Sequence, residues 1–365
     1  MRLTLLSLTL CAACAADRKP GTDGDDLSDA LVSRLDGAVQ DAQAQPSDAQ
    51  PSDALELGCD LTDRRLVRRG ETESLFDGLA LDLDVQGDVA YLTHDRGVAV
   101  VNVAHLDSPF GVAHHTALGA HGLALTPDGF GVLAVVGDGV RVLDLRDDRT
   151  PHEVGAFDLV GAAGAEYAHD LALIGDQAYV AAGALGLWVV DVSVRPSPTP
   201  IGSCCGDARR HPLAGARDVE VRSGTAWVAD SEDGLLVVDV ANPRRPRLLS
   251  TTPLAHPARA LHLGSDVGYL IEDNDTLATF ALGPPTPRIR EGQPLPAGTV
   301  ALHAREDALF VASADGIHVL HPTTLEDLVP PLDLDGRPAL ALLVVGTRLY
   351  VAVPHGLVIA SFDCL

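Results

Sequence analysis

The chain has 365 residues, of which 46% are hydrophobic and 21% charged, so most of its length can bury a core. Its 26 basic and 51 acidic residues give a formal charge of −25, which argues against nucleic acid and anionic membrane surfaces as partners. Aromatics are only 4%, too few to build stacking platforms for single strands or sugar rings, and no run of 18 apolar residues predicts a spanning helix.

The first segment, residues 1–14, reads MRLTLLSLTLCAAC. Arg2 supplies a positive start and Leu3–Leu10 a short apolar stretch, which is the pattern of a secretory signal. Its end resembles a bacterial lipoprotein box, with Ala12 and Ala13 before Cys14 and Cys11 in the place where Leu is usual. That resemblance implies acylation of Cys14, and Ala15 in place of a retention Asp favours the outer membrane. Residues 15–58 carry ten acidic and three basic residues, no aromatic, and QPSDA written twice over Gln45–Ala54. Such a segment cannot bury enough apolar surface to offset its ordering entropy, so a disordered acidic tether is expected.

From residue 59 to 365 the chain repeats one unit. Its anchor is a glycine, an aliphatic residue, any residue, two apolar residues and then Asp or Asn. It reads GVAVVNV from Gly97, GVRVLDL from Gly139, GLWVVDV from Gly186 and GLLVVDV from Gly234, with weaker copies at Thr276, Gly316 and Gly356. Six or seven residues earlier stands a bulky residue: Tyr91, Leu133, Tyr179, Trp227, Tyr269, Phe310 or Tyr350. A period of 40–48 residues built from short, β-branched strands predicts an all-β, seven-bladed propeller of four-stranded blades. The six aromatics at the recurring position are expected to pack blade against blade, and Asp144, Asp191 and Asp239 to cap the turn after each third strand. Blade seven stops after its third strand, so residues 61–71 are expected to supply its outer strand. On that arrangement Cys59 and Cys364 fall at one end of a strand pair, where a disulfide would clasp the ring. Cys204 and Cys205 are adjacent, and a vicinal disulfide, free thiols and an outside partner all stay open.

The units resemble LVIVD repeats of bacterial and archaeal cell-surface propellers, most closely in LLVVDVANP at Leu235–Pro243 and LWVVDV at Leu187–Val192. The resemblance implies a propeller and an envelope location, and it brings no catalytic residues with it.

The chain contains no G-x-S-x-G, H-E-x-x-H or phosphate-loop motif. The innermost strands align as AHGLAL, AHDLAL, ARDVEV and ARALHL, which puts His121, His169, Arg217 and Arg259 at one position of four successive blades. That position faces the channel mouth, where loops carrying His94, Asp95, Asp138, Asp230, Glu232, Asp233, Glu272, Asp273 and Asp315 also emerge. Two imidazoles and two guanidiniums suit an anion or a carboxylate-bearing peptide, with Asp170 and Asp218 beside them. The expected function is an envelope-anchored binding or scaffold module, monomeric, with no cofactor, no metal and no catalytic residue assigned. A hydrolase or lyase acting at the same mouth is the alternative, and a wet channel lined by polar residues without a ligand is the plainer one.

Overall fold

The computed structural model describes residues 64–72, 74–159, 168–205, 215–283 and 286–364. The signal, Cys14, the tether, Cys59 and the side chain of Cys364 lie outside the described residues. Seven antiparallel sheets of four strands follow one another around a ring. Blade one runs Ala80–Gln86, Val89–His94, Gly97–Asn102 and Phe110–Thr116 from the channel outward. Blades two to six repeat this order, with inner strands Ala120–Leu125, Asp170–Ile174, Ala216–Arg222, Ala258–Leu263 and Ala301–Ala304. Blade seven takes its three inner strands, Ala341–Val345, Arg348–Val353 and Gly356–Cys364, from the end of the chain, and its outer strand, Arg64–Thr72, from the start.

The core is divided among the blade interfaces. Seven clusters of buried apolar side chains are found among the described residues, one between each pair of neighbouring blades, including seven and one. The two middle strands of a blade are covered on both faces, which explains why they are nearly continuous apolar runs. In Gly97–Asn102, Val98 and Val100 pack toward blade two while Ala99 and Val101 pack toward blade seven. The side-chain period of two thus feeds two interfaces from one strand.

Tyr91, Tyr179, Trp227, Tyr269, Phe310 and Tyr350 all face the next blade in chain order. Leu133 does not share their position. Its strand is offset by one residue, so Val132, opposite Val142, takes the place of the tyrosine and Leu133 turns back toward blade one. In blades one to four the turn after the third strand is capped by its acidic or amide side chain. Asp144, Asp191 and Asp239 accept the backbone N–H two residues on, at 3.1, 2.9 and 3.0 Å, and Asn102 does the same at 3.2 Å.

Outer strands dock on the following blade through glycine. A Cβ on Gly202 would stand 2.2 Å from the carbonyl of Pro243 in blade four, and one on Gly70 would stand 2.2 Å from the carbonyl of Leu106 in blade one. The strand from the chain start therefore meets blade one as the outer strand of blade three meets blade four. Side chains also tie the same strand to blade seven. Arg69 donates to Ser361 at 2.6 Å and pairs with Asp363 at 2.5 Å, and Arg337 pairs with Glu71 at 2.6 Å. Cys204 and Cys205 are joined as a vicinal disulfide at the end of the outer strand of blade three, which resolves the alternatives left open for them.

Candidate ligand site at the channel mouth

The inner strands of blades one, four and five share a one-residue irregularity at the mouth. Ala216 pairs with Asp230 and Asp218 with Ala229, which leaves Arg217 without a partner in the ladder. Arg259 is skipped in the same way between Ala258 and Ala260, and Leu81 between Ala80 and Asp82. Blade two skips His121 and Gly122 together. A bulge turns its extra residue out of the pleat, and here it turns that residue into the channel. In blade three His169 sits just before the strand, and its N–H bonds the carbonyl of Ala181 at 2.9 Å.

The four residues expected at the mouth line one cavity of about 460 Å3 on the channel axis, together with Asp170 and Asp218. The rings of His121 and His169 meet edge to face at 6.2 Å. Arg259 is anchored: its Nε pairs with Asp273 at 3.1 Å and its Nη1 donates to the Thr299 carbonyl at 3.0 Å. Arg217 makes no ion pair or hydrogen bond among the described residues. Burial first, then the neighbouring Arg217 and His121, press His169 down to about 4, so its imidazole is neutral at pH 7. The neutral His169 can thus contribute an N–H beside the two guanidiniums.

Asp170 and Asp218 line the same cavity as the imidazoles and guanidiniums. They lie one step deeper and accept backbone N–H groups of the neighbouring blade's inner strand, Asp170 from Val219 at 3.4 Å and Asp218 from Leu261 at 2.6 Å. Asp82 accepts from Leu123 at 2.8 Å, Asp84 from Leu125 at 3.1 Å and Glu220 from Leu263 at 3.1 Å in the same way. An inner strand is a sheet edge with unpaired donors, and these carboxylates cover it. The four aspartates are surrounded by protein, so their charged form is disfavoured. Burial pushes Asp82 up to about 7 and raises Asp84, Asp170 and Asp218, the last two also hydrogen-bonded to each other. One strand step further in, His262 pairs with Glu220 at 2.9 Å and stacks on His303 at 4.6 Å. Asp82, Asp84, Glu220, His262 and His303 were not singled out from the sequence, although polar residues at alternate positions in LDLDV, RDVEV and ALHL were the available signal.

Other rim residues are occupied locally. Asp230 accepts the N–H groups of Glu232 and Asp233, each at 2.9 Å, as a turn cap. His94 is buried, stacks on Phe76 at 4.3 Å and bonds His114 at 2.7 Å. Among the described residues no group of three or more His, Cys, Asp or Glu is placed to hold a metal ion.

Fold and mouth together define a seven-bladed β-propeller with a basic half-collar over a carboxyl layer. The LVIVD repeat model matches residues 165–205 and 215–252, so blades three and four carry LVIVD repeats. No curated protein sequence gives a significant match. Among solved structures, the chain is similar to the β-propeller domain of Myceliophteria thermophila Cps50 (Swd1), at a TM-score of 0.62 and 12% identity, over 81% of this chain and 99% of that one. It is also similar to the computationally designed Ika8 protein, at a TM-score of 0.54 and 12% identity, over 80% of this chain and 100% of that one. At this identity the likeness shows the propeller fold alone.

Proposed function

We propose that this propeller is an envelope-anchored binding module that holds a small anionic ligand, or the carboxylate of an envelope protein segment, at the channel mouth. The observation that carries the reading is Arg217. The bulge directs its guanidinium into a cavity of a size usual for small-molecule sites, with no charge partner among the described residues. A guanidinium in that setting presents a fork of donors to a carboxylate, and His121 and His169 stand beside it. Asp170 and Asp218 are committed to backbone amides, which favours holding a ligand over transferring a proton to it.

The address in this reading is the outer membrane, through acyl chains on Cys14, with the ring acting as a monomer. Labelled palmitate is expected in the wild type and absent from Cys14→Ser, and equal labelling of both would remove the anchor. At the mouth, Arg217→Ala is expected to weaken acetate binding, read by NMR titration, by tenfold or more, the scale of a lost hydrogen bond to a charged group. The bulged position bears no ladder bond, so the melting temperature should stay within a few degrees of wild type. Unchanged acetate affinity, or gross unfolding of the variant, would sink the reading.

A further inference from the structure

The mouth has two unlike halves. At the position of His121, His169, Arg217 and Arg259 in blades two to five, blades six, seven and one carry Val300, Leu340 and Leu81. The equivalence is structural. The N–H groups of Val300 and Leu340 bond the carbonyls of Ala312 and Ala352 at 3.0 and 2.9 Å, as that of His169 bonds Ala181. Leu81 is the bulge residue of blade one, as Arg217 is of blade four. All three aliphatic side chains are half-exposed and line the same cavity. Leu81 belongs to none of the interface clusters, so its contact with the core does not account for it. Beneath Val300 and Leu340 stand Ala301 and Ala341, and beneath Leu81 stands Asp82, at the position of Asp170 and Asp218 in blades three and four.

Resting on the anion-binding reading, we propose that the ligand is a small aliphatic monocarboxylate, its carboxylate held by Arg217 and its chain lying against Leu81, Val300 and Leu340. A dianion would bring its second charge against the side chains of Leu81, Val300 and Leu340, where desolvation opposes it. A bare inorganic anion would leave the arc wet. An alkyl chain covers it, and each methylene buried there raises affinity roughly two- to fourfold. Leu81 and its two neighbours then set specificity, while Arg217 sets the requirement for charge.

The test uses the full chain and a series of acetate, butyrate, hexanoate and succinate, titrated at pH 7 against wild type, Arg217→Ala and Leu81→Asn. In the wild type, affinity should climb from acetate to hexanoate by tenfold or more, with succinate no better than acetate. Leu81→Asn should flatten that climb, and Arg217→Ala should weaken every member. Val300→Thr, which keeps the side-chain shape, should lower hexanoate affinity in the same sense and guards against a folding defect in Leu81→Asn. Equal affinity for acetate and hexanoate, with acetate still lost in Arg217→Ala, would overturn the aliphatic wall and leave the anion site standing. No binding of any carboxylate by the wild type would overturn both.

Discussion

A chain that begins at Ser74 is expected to lose its monomeric fold, whereas one that begins at Gly58 should keep it. The segment removed contains the outer strand of blade seven, Arg64–Thr72, which pairs with Gly356–Cys364 over eight register positions. At a net ~0.5–1.5 kcal/mol per hydrogen bond the ladder alone is on the order of several kcal/mol, a large part of a domain's stability. The loss also takes Leu66 from the cluster around Phe362 and removes Arg69, the partner of Asp363 and Ser361. What remains is a long open edge with buried apolar residues behind it, a template for pairing with another chain. Light scattering coupled to size exclusion reads the result. The shortened chain should elute as oligomer or aggregate, and a stable monomer melting with the wild type would show that the ring does not need its first strand.

Asp82→Asn is expected to change how stability depends on pH. Burial raises Asp82 most, the charges of Asp84 and Asp218 add to it, and the amides of Leu123 and Leu83 work against it, leaving the group at about 7. The folded chain therefore keeps a proton that the unfolded chain releases near pH 4. This contribution to stability is complete below pH 4 and is lost as pH rises to about 7. At ~1.4 kcal/mol per pH unit, wild type should lose on the order of 4 kcal/mol relative to Asp82→Asn between pH 4 and 8. His169, held near 4, acts in the opposite sense, gaining stability as pH rises from about 4 to 6.5. The quantity to follow is thus the difference between the two proteins in denaturant unfolding, not the wild-type curve alone. A difference that stays constant from pH 4 to 8 would mean that Asp82 is charged in the channel.

The propeller was legible because its strongest signals are local and repeated. Six of the seven third strands begin with a glycine, four end in an Asn or Asp that caps the next turn, and the repeated copies make up for the degraded ones. The polar half of the mouth was legible for the same reason, since His121, His169, Arg217 and Arg259 stand in four strands that align by eye. Its other half was not, because Thr299-Val300-Ala301 and Ala339-Leu340-Ala341 have lost the surrounding pattern and read only as core. The bulge at Arg217 is a matter of register between two strands, which composition does not mark. The partners of Asp82, Asp170 and Asp218 lie 41 to 49 residues away in the next blade, and the Gly202 contact is likewise across a blade interface. Leu133 shows the limit of counting back from an anchor: a loop one residue longer shifts the wall residue to Val132.

The proposed function requires that the mouth hold an anion at Arg217. Anomalous diffraction from crystals soaked in sodium bromide at neutral pH tests this most directly, because bromide reports its own position without assumptions about the natural ligand. A leading bromide peak is expected in the central cavity, bordered by Arg217, His121 and His169 and absent from crystals of Arg217→Ala. Peaks scattered over surface arginines such as Arg149, with none at the mouth, would contradict it.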